Sequence, residues 1–268
     1  CKFTHADTKV SPGEYKLRST FDYHAIVANM RAGSTSAATV KVTIPEGFTM
    51  HQIFLRLEEN GVADYNDLMD AAANEVFNYS FLEGTESLGA YRLEGYLFPD
   101  TYEFYVGMQA SSAINKMLDN FNRKITEDMQ ARLDELGMSL SEVINVASLI
   151  EKEAANDSER PVIASVIYNR LNYDTPLGID AAVLYPYPEH EGAPTAEMLA
   201  KDDPYNTRIK LGLPPTPISN PGIASINAAL WPDATDYFYY ALDTATGTHQ
   251  FFTNEGDFNS FVATQDYE

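Results

Sequence analysis

The stretch from Ser139 to Ala154, SLSEVINVASLIEKEA, constrains the fold most, because it reads as one capped helix with a single carboxyl out of pattern. Ser139 can cap the first turn, and Glu142, three residues on, can reach back to complete a capping box. At roughly 100° per residue, Val143, Ile144, Val146, Ala147, Ile150 and Ala154 line one apolar face. Ser141, Glu142, Asn145, Ser148 and Lys152 cover the opposite side, and Leu149 is the one apolar stray. Glu151 lies one turn beyond Ala147 and two beyond Ile144, so it points with the apolar face, while Glu153 rotates back toward the polar edge. A carboxyl on a buried face loses water, which favours its neutral form, and one that keeps its proton near neutral pH can act as a general acid. The competing reading of Glu151 is a rim position, or a buried group paired with an arginine.

The charge balance narrows the partners. A formal net charge of −21 over 268 residues argues against nucleic acid, whose phosphates need a basic footprint, and against docking on anionic lipid headgroups. Hydrophobic content of 44% and charged content of 21% are those of a folded domain with ample core. The single cysteine, Cys1, excludes an internal disulfide and a zinc–thiolate cluster. No run of 18 apolar residues and no signal-peptide core is present. The abrupt start at Cys1-Lys2-Phe3 reads as an ectodomain whose membrane anchor lies upstream, with a lipid-modified Cys1 as the alternative.

Taken in order, residues 1–11 read as a polar tether. Glu14 to Leu17 then predicts a short strand and Tyr23 to Met30 a helix ended by Gly33. The plan repeats: Val40 to Ile44 alternates like a strand, Pro45-Glu46-Gly47 makes a turn, and Thr49 caps a helix carrying Ile53, Phe54 and Leu57. Asp64 to Tyr79 reads as a further helix. A Gly/Ser/Thr/Glu-rich passage around Phe81 to Gly89 marks the boundary between a first module, 12–84, and a second domain, 85–268. In the second domain, Leu93 to Tyr102 is an aromatic loop and Ser111 to Leu136 one amphipathic helix ended by Gly137. Val162 to Leu171 is another helix, with Pro161 tolerated in its first turn and Asn169 near its apolar face. Beyond Tyr173, prolines and glycines build a loop-rich surface of the kind that commonly carries sites. Asp236 to Leu242 and His249 to Phe252 form a hairpin about Gly247, and Glu255 to Tyr267 a closing helix. The fold class is therefore α+β.

The five histidines show no metal-ligand spacing, and no nucleophile elbow, phosphate loop or dinucleotide fingerprint occurs. No metal and no cofactor is expected. What remains is carboxylate chemistry among 17 Tyr and 14 Phe, with Glu151, Glu153, Glu94, Asp100 and Asp180 as candidates. Aromatic faces with hydrogen-bonding carboxylates and amides suit a carbohydrate, and two carboxylates would fit ordinary glycoside hydrolysis.

The order of Leu93-Glu94-Gly95-Tyr96-Leu97-Phe98-Pro99-Asp100-Thr101-Tyr102, Ala147-Ser148-Leu149-Ile150-Glu151-Lys152-Glu153 and Val166-Ile167-Tyr168-Asn169-Arg170-Leu171 resembles the YceG-like (MltG) endolytic murein transglycosylases. Tyr205-Asn206-Thr207, Gly212 to Ile218, Asn220-Pro221-Gly222 and His249-Gln250-Phe251 continue the resemblance in the same order. It implies a membrane-anchored, extracytoplasmic enzyme that cuts nascent peptidoglycan glycan strands internally, beside peptidoglycan synthases (penicillin-binding proteins). It also implies a small LysM-like α/β glycan-binding module, truncated at its start, followed by a mixed α+β catalytic domain with a central Glu-bearing helix. The family's catalytic acid maps to Glu151, in agreement with the helix-face reading. Candidates for holding the glycan or shaping the site are Glu94, Glu153, Asn169, Asp180, Tyr205, Asn206, Thr207 and His249. Glu94 and Asp180 could equally pair with Arg92, Arg170 or Arg208.

Two positions depart from the family pattern. Arg208 stands where an aromatic is common, and Phe258-Asn259 where the family tends to have His-Asn, so Phe258 is given no chemistry. A hydrolytic muramidase and a non-catalytic wall-binding protein stay open as alternatives.

Overall fold

The structure is a computed structural model that describes residues 23–32 and 38–267. The tether 1–11, the strand read at Glu14 to Leu17 and the terminator Gly33 lie outside the described residues. The architecture is mixed α+β. It opens with helix α1 (Tyr23–Ala32), strand β1 (Thr39–Thr43) and helices α2 (Met50–Glu59) and α3 (Tyr65–Asn74). Thr49 caps α2 with a complete capping box closed by Gln52, and Asp64 caps α3. The helix expected to run on to Tyr79 stops at Asn74, where Glu75 turns extended (ψ 150°). Two 3-10 turns, Ser80–Leu82 and Glu86–Leu93, fill the passage read as a boundary.

Strand β2 (Thr101–Tyr105), read from sequence only as the end of an aromatic loop, pairs antiparallel with β1. Its alternation is real but short: Tyr102 and Phe104 face the core while Thr101 and Glu103 face out. The stretches before and after residue 84 therefore share a sheet, and their apolar side chains join one continuous core from Ile44, Phe54 and Leu68 through Phe104 and Phe121 to Ile144 and Ile226. The single helix expected over Ser111 to Leu136 is two, α4 (Ala110–Lys124) and α5 (Glu127–Leu136). Ile125 turns extended, and Thr126 starts the second helix by accepting the Met129 N–H, so local capping outweighs the continuous apolar periodicity.

Helix α6 (Leu140–Glu153) carries the predicted capping box and is the centre of the second half. It packs against α7 (Arg160–Asn172), the short α8 (Asp180–Leu184) and, beyond α9 (Ala196–Ala200), α10 (Ile223–Leu230). Every residue from Val143 to Ile150 is buried, so Asn145 and Ser148 of the side read as polar are enclosed, while Ser141, Glu142 and Lys152 stay exposed. The loop 214–219 covers it. Asn145 Nδ2 donates to the Pro214 carbonyl at 2.7 Å, the Ile218 N–H donates to Ser148 Oγ at 3.0 Å, and Ser219 Oγ donates to the Ser148 carbonyl at 3.2 Å. Hairpin β3 (Tyr239–Asp243) and β4 (Thr248–Phe252), in register Tyr240 to Phe251, lies over the end of this layer, and α11 (Glu255–Val262) closes the chain on it. Helix α10 carried no expectation from sequence; it begins just after Asn220-Pro221-Gly222.

Candidate active site

The C-terminal turn of α6 sends three consecutive side chains to three places. Glu151 is recessed, its side chain 7% exposed. Gly222 N–H donates to its Oε2 at 2.9 Å, and Arg160 Nη1, at the start of α7, lies 3.3 Å from its Oε1. The carboxyl is on the buried face, as its place on the helix implies, and it meets an arginine, as the competing reading of it has it. Arg160 is itself held, Nη1 donating to Ser225 Oγ at 2.6 Å and Nε to Asp157 Oδ1 at 3.1 Å. Glu153 turns the other way, under the hairpin, where Tyr240 OH donates to its Oε2 at 2.8 Å. Burial raises its pKa, opposed by Tyr240 and His249. Lys152, between them, lines a cleft of about 730 Å³ whose walls include Tyr65, Tyr91, Tyr185, Tyr187 and Tyr205.

Close backbone approach brings the walls together. A Cβ on Gly222 would overlap the Glu46 carboxylate, so a larger residue there would have to push that exposed side chain aside. Gly95, at φ 91°, meets the same kind of limit: a Cβ there would come within 2.7 Å of Pro217. Asn220 ties three loops together. Its Oδ1 accepts the N–H of Gly95 (3.0 Å) and Leu97 (2.8 Å), and its Nδ2 donates to the Phe48 carbonyl (3.0 Å) and to Glu94 (2.7 Å).

The other expected site residues divide by what they touch. Glu94 is 1% exposed; its oxygens take the Met50 N–H at the start of α2, Tyr185 OH and Asn220 Nδ2. Burial pushes its pKa up to about 7 against those hydrogen bonds. Tyr205 packs on Tyr185 at 4.9 Å and shares a hydrogen bond with Thr216. Asn206 and Thr207 are enclosed: Asn206 Nδ2 donates to carbonyls of Met198, Leu199 and Lys201, and Thr207 Oγ1 bonds the backbone of Ile179. Asn169 Nδ2 donates to the Thr235 and Tyr237 carbonyls and so sets the approach to β3. Asp180 pairs with Arg208 at 2.7 Å, which accounts for the arginine at that departure from the pattern. His249 faces Glu159 at 2.7 Å. Burial works against ionising Glu159, but His249 and the Ala155 N–H outweigh it and hold its pKa below the ordinary value. Phe258 stacks on Tyr239 at 5.3 Å, a packing role. Asp100 lies away from this cluster, accepting from Asn120.

Sequence reasoning missed Arg160, Gly222 and Glu46 as members of the site. The first two lie in segments it did single out, a helix start and an Asn-Pro-Gly turn, but their roles depend on contacts 9 and 71 residues away along the chain. A larger open groove of about 990 Å³, lined by Phe77, Glu103, Asn115 and Lys116 among others, contains none of the expected residues. Among the described residues, no His/Cys/Asp/Glu group could hold a metal ion.

The chain is 32% identical over 245 residues to a Bacillus subtilis protein named endolytic murein transglycosylase, covering 85% of this chain and 66% of that one. It is 29% identical over 280 aligned positions to a Streptococcus pneumoniae protein of the same name, covering 96% of this chain and 51% of that one. It therefore spans between half and two thirds of the length of these curated relatives. The crystal structure of a yceG-like protein from Listeria monocytogenes superposes with a TM-score of 0.72 at 33% identity, over 97% of this chain and 87% of that one. The YceG-like family model matches residues 1–264, and the chain belongs to that family.

Proposed function

We propose that this chain is the catalytic part of an endolytic peptidoglycan lytic transglycosylase, with Glu151 as its acid. The observation that supports this most is the recessed Glu151 carboxyl, oriented by Gly222 N–H and Arg160, on the helix turn whose next residue, Lys152, lines an aromatic cleft. The names of the Bacillus and Streptococcus relatives point the same way. Glu151 gives a proton to the oxygen leaving N-acetylmuramic acid at its β-1,4 bond to N-acetylglucosamine. As a carboxylate it then takes the proton of the muramoyl 6-hydroxyl, which attacks the anomeric carbon of its own sugar. The C1–O bond to the leaving sugar breaks, a C1–O6 bond forms, and no water is consumed. An internal nucleophile has a high effective concentration, so no second carboxylate is needed to activate it. The tyrosine-lined cleft supplies faces for sugar rings. Tyr205 and Glu94 shape that cleft, while Glu153, Asn169, Asp180, Asn206, Thr207 and His249 hold the loops and hairpin around it.

In this reading residues 12–84 form a LysM-like glycan-binding module, whose described residues include helices α1, α2 and α3 and strand β1, the antiparallel partner β2 coming from after residue 85. Nascent glycan strands are the substrate, peptidoglycan synthases the partners, and a membrane anchor upstream of Cys1 keeps the enzyme outside the cytoplasm. No helix among the described residues is long and apolar enough to cross a membrane itself. Mass spectrometry of the fragments released from purified glycan strands tests the reaction. Internal cuts ending in 1,6-anhydromuramoyl residues are expected; reducing muramoyl ends would replace the transglycosylase by a hydrolytic muramidase.

A further inference from the structure

Glu46 has no part in the one-acid mechanism, yet the fold takes care to place it. It lies on the loop between β1 and α2, and that loop is laced to the loop before α10. Gly47 N–H donates to the Asn220 carbonyl at 2.9 Å, and Asn220 N–H donates to the Phe48 carbonyl at 2.9 Å. The lacing presses the Glu46 carboxylate against Gly222, the residue whose N–H holds Glu151. Glu46 thus lies beside Gly222, next to the Glu151 carboxyl, and is exposed where Glu151 is enclosed. An exposed acid on a polar turn has no packing reason to sit over another acid. Like charges brought together cost free energy, and Arg160, 3.3 Å from Glu151, offsets only part of that cost at Glu46.

We propose that Glu46 is a second catalytic carboxyl, which works ionised and stabilises the positive charge that develops at the anomeric carbon while Glu151 delivers its proton. The transition state of glycosidic cleavage carries that charge, and a fixed carboxylate nearby lowers it in energy without forming a bond. The groups that face Glu46 bear on when it ionises. Burial raises its pKa first, the charge of Glu151 on α6 raises it further, Arg160 on α7 lowers it, and Asp157 in the turn between those helices raises it. The net direction is upward. Cleavage should therefore gain rate with rising pH through a range above that of an ordinary carboxylate.

The proposal rests on the reading that Glu151 cleaves a glycosidic bond. The test is the pH profile of strand cleavage by the wild-type chain, Glu46→Gln and Glu46→Asp, with a thermal melt of each. Glu46→Gln is expected to lose about 10- to 100-fold in kcat, with KM and melting temperature close to wild type and the acid limb gone. Glu46→Asp keeps the charge and should keep the limb. A Gln variant with wild-type kcat overturns the role, and so does one that is slower but retains the acid limb, since that marks a merely structural contact. A wild-type chain that cuts nothing at any pH removes the parent reaction instead, and this role with it.

Discussion

Three glutamates lie at the heart of the molecule, and their partners separate them. Glu151 faces a cation and one backbone N–H; Glu153 lies under a tyrosine; Glu94 is enclosed by three donors. Glu153→Gln keeps an oxygen for the Tyr240 hydroxyl, so it should cost far less activity than Glu151→Gln; equal losses in kcat would mean the two roles are not distinct. Glu94 leads to a stability prediction. Its pKa in the fold, about 7, lies above its ordinary value of 4.5, so between those values the folded state binds more protons than the unfolded one. Stability from this group is full below about pH 4.5 and is lost as pH rises toward 7, at about 1.4 kcal/mol per unit. Thermal melts across that window should show a smaller fall for Glu94→Gln than for wild type; identical slopes would remove Glu94 as the source. The sequence made Glu151 legible because a helix converts spacing into direction. Glu46 was not legible: it sits in a Pro-Glu-Gly turn, and nothing local says that residues 220–222 will lie against it.

At the scale of elements, α6 shows what periodicity can and cannot give. Its start, its cap and its apolar face follow from the residues, but the enclosure of Asn145 and Ser148 depends on a loop some 70 residues away. The loop binds by replacing water with paired backbone groups, so those polar side chains are anchors rather than a solvated face. Ser148→Ala leaves the buried Ile218 N–H without its acceptor and should cost about 1–3 kcal/mol in chemical denaturation. Asn220→Ala should cost more, on the order of 3 kcal/mol, and should also slow cleavage, because the loops at Phe48, Gly95 and Gly222 lose their common tie. A variant as stable and active as wild type would show that the tie is dispensable. The split between α4 and α5 was hidden for a related reason. Thr126 is a strong cap, but an unbroken apolar stripe on both sides masks it.

At the scale of the molecule, composition marks a boundary around Phe81 to Gly89, and the structure shows a shared sheet and one core on both sides of residue 84. Pairing between β1 and β2 joins residues 58 to 66 apart, which no local pattern reveals. A chain starting at residue 79 loses β1, α2 and α3, with Ile44, Ile53, Phe54, Leu57 and Leu68 from that core. It should fail to melt cooperatively; a sharp wild-type transition would show instead that the second part folds alone. Whether Glu151 is the acid of glycan cleavage is decided by comparing wild type and Glu151→Gln on the same purified strands. Gln can still accept the Gly222 N–H but has no proton to give. Anhydromuramoyl products should fall by at least about 100-fold while the melt and strand binding barely change; a Gln variant that still produces them at the wild-type rate would rule Glu151 out as the acid.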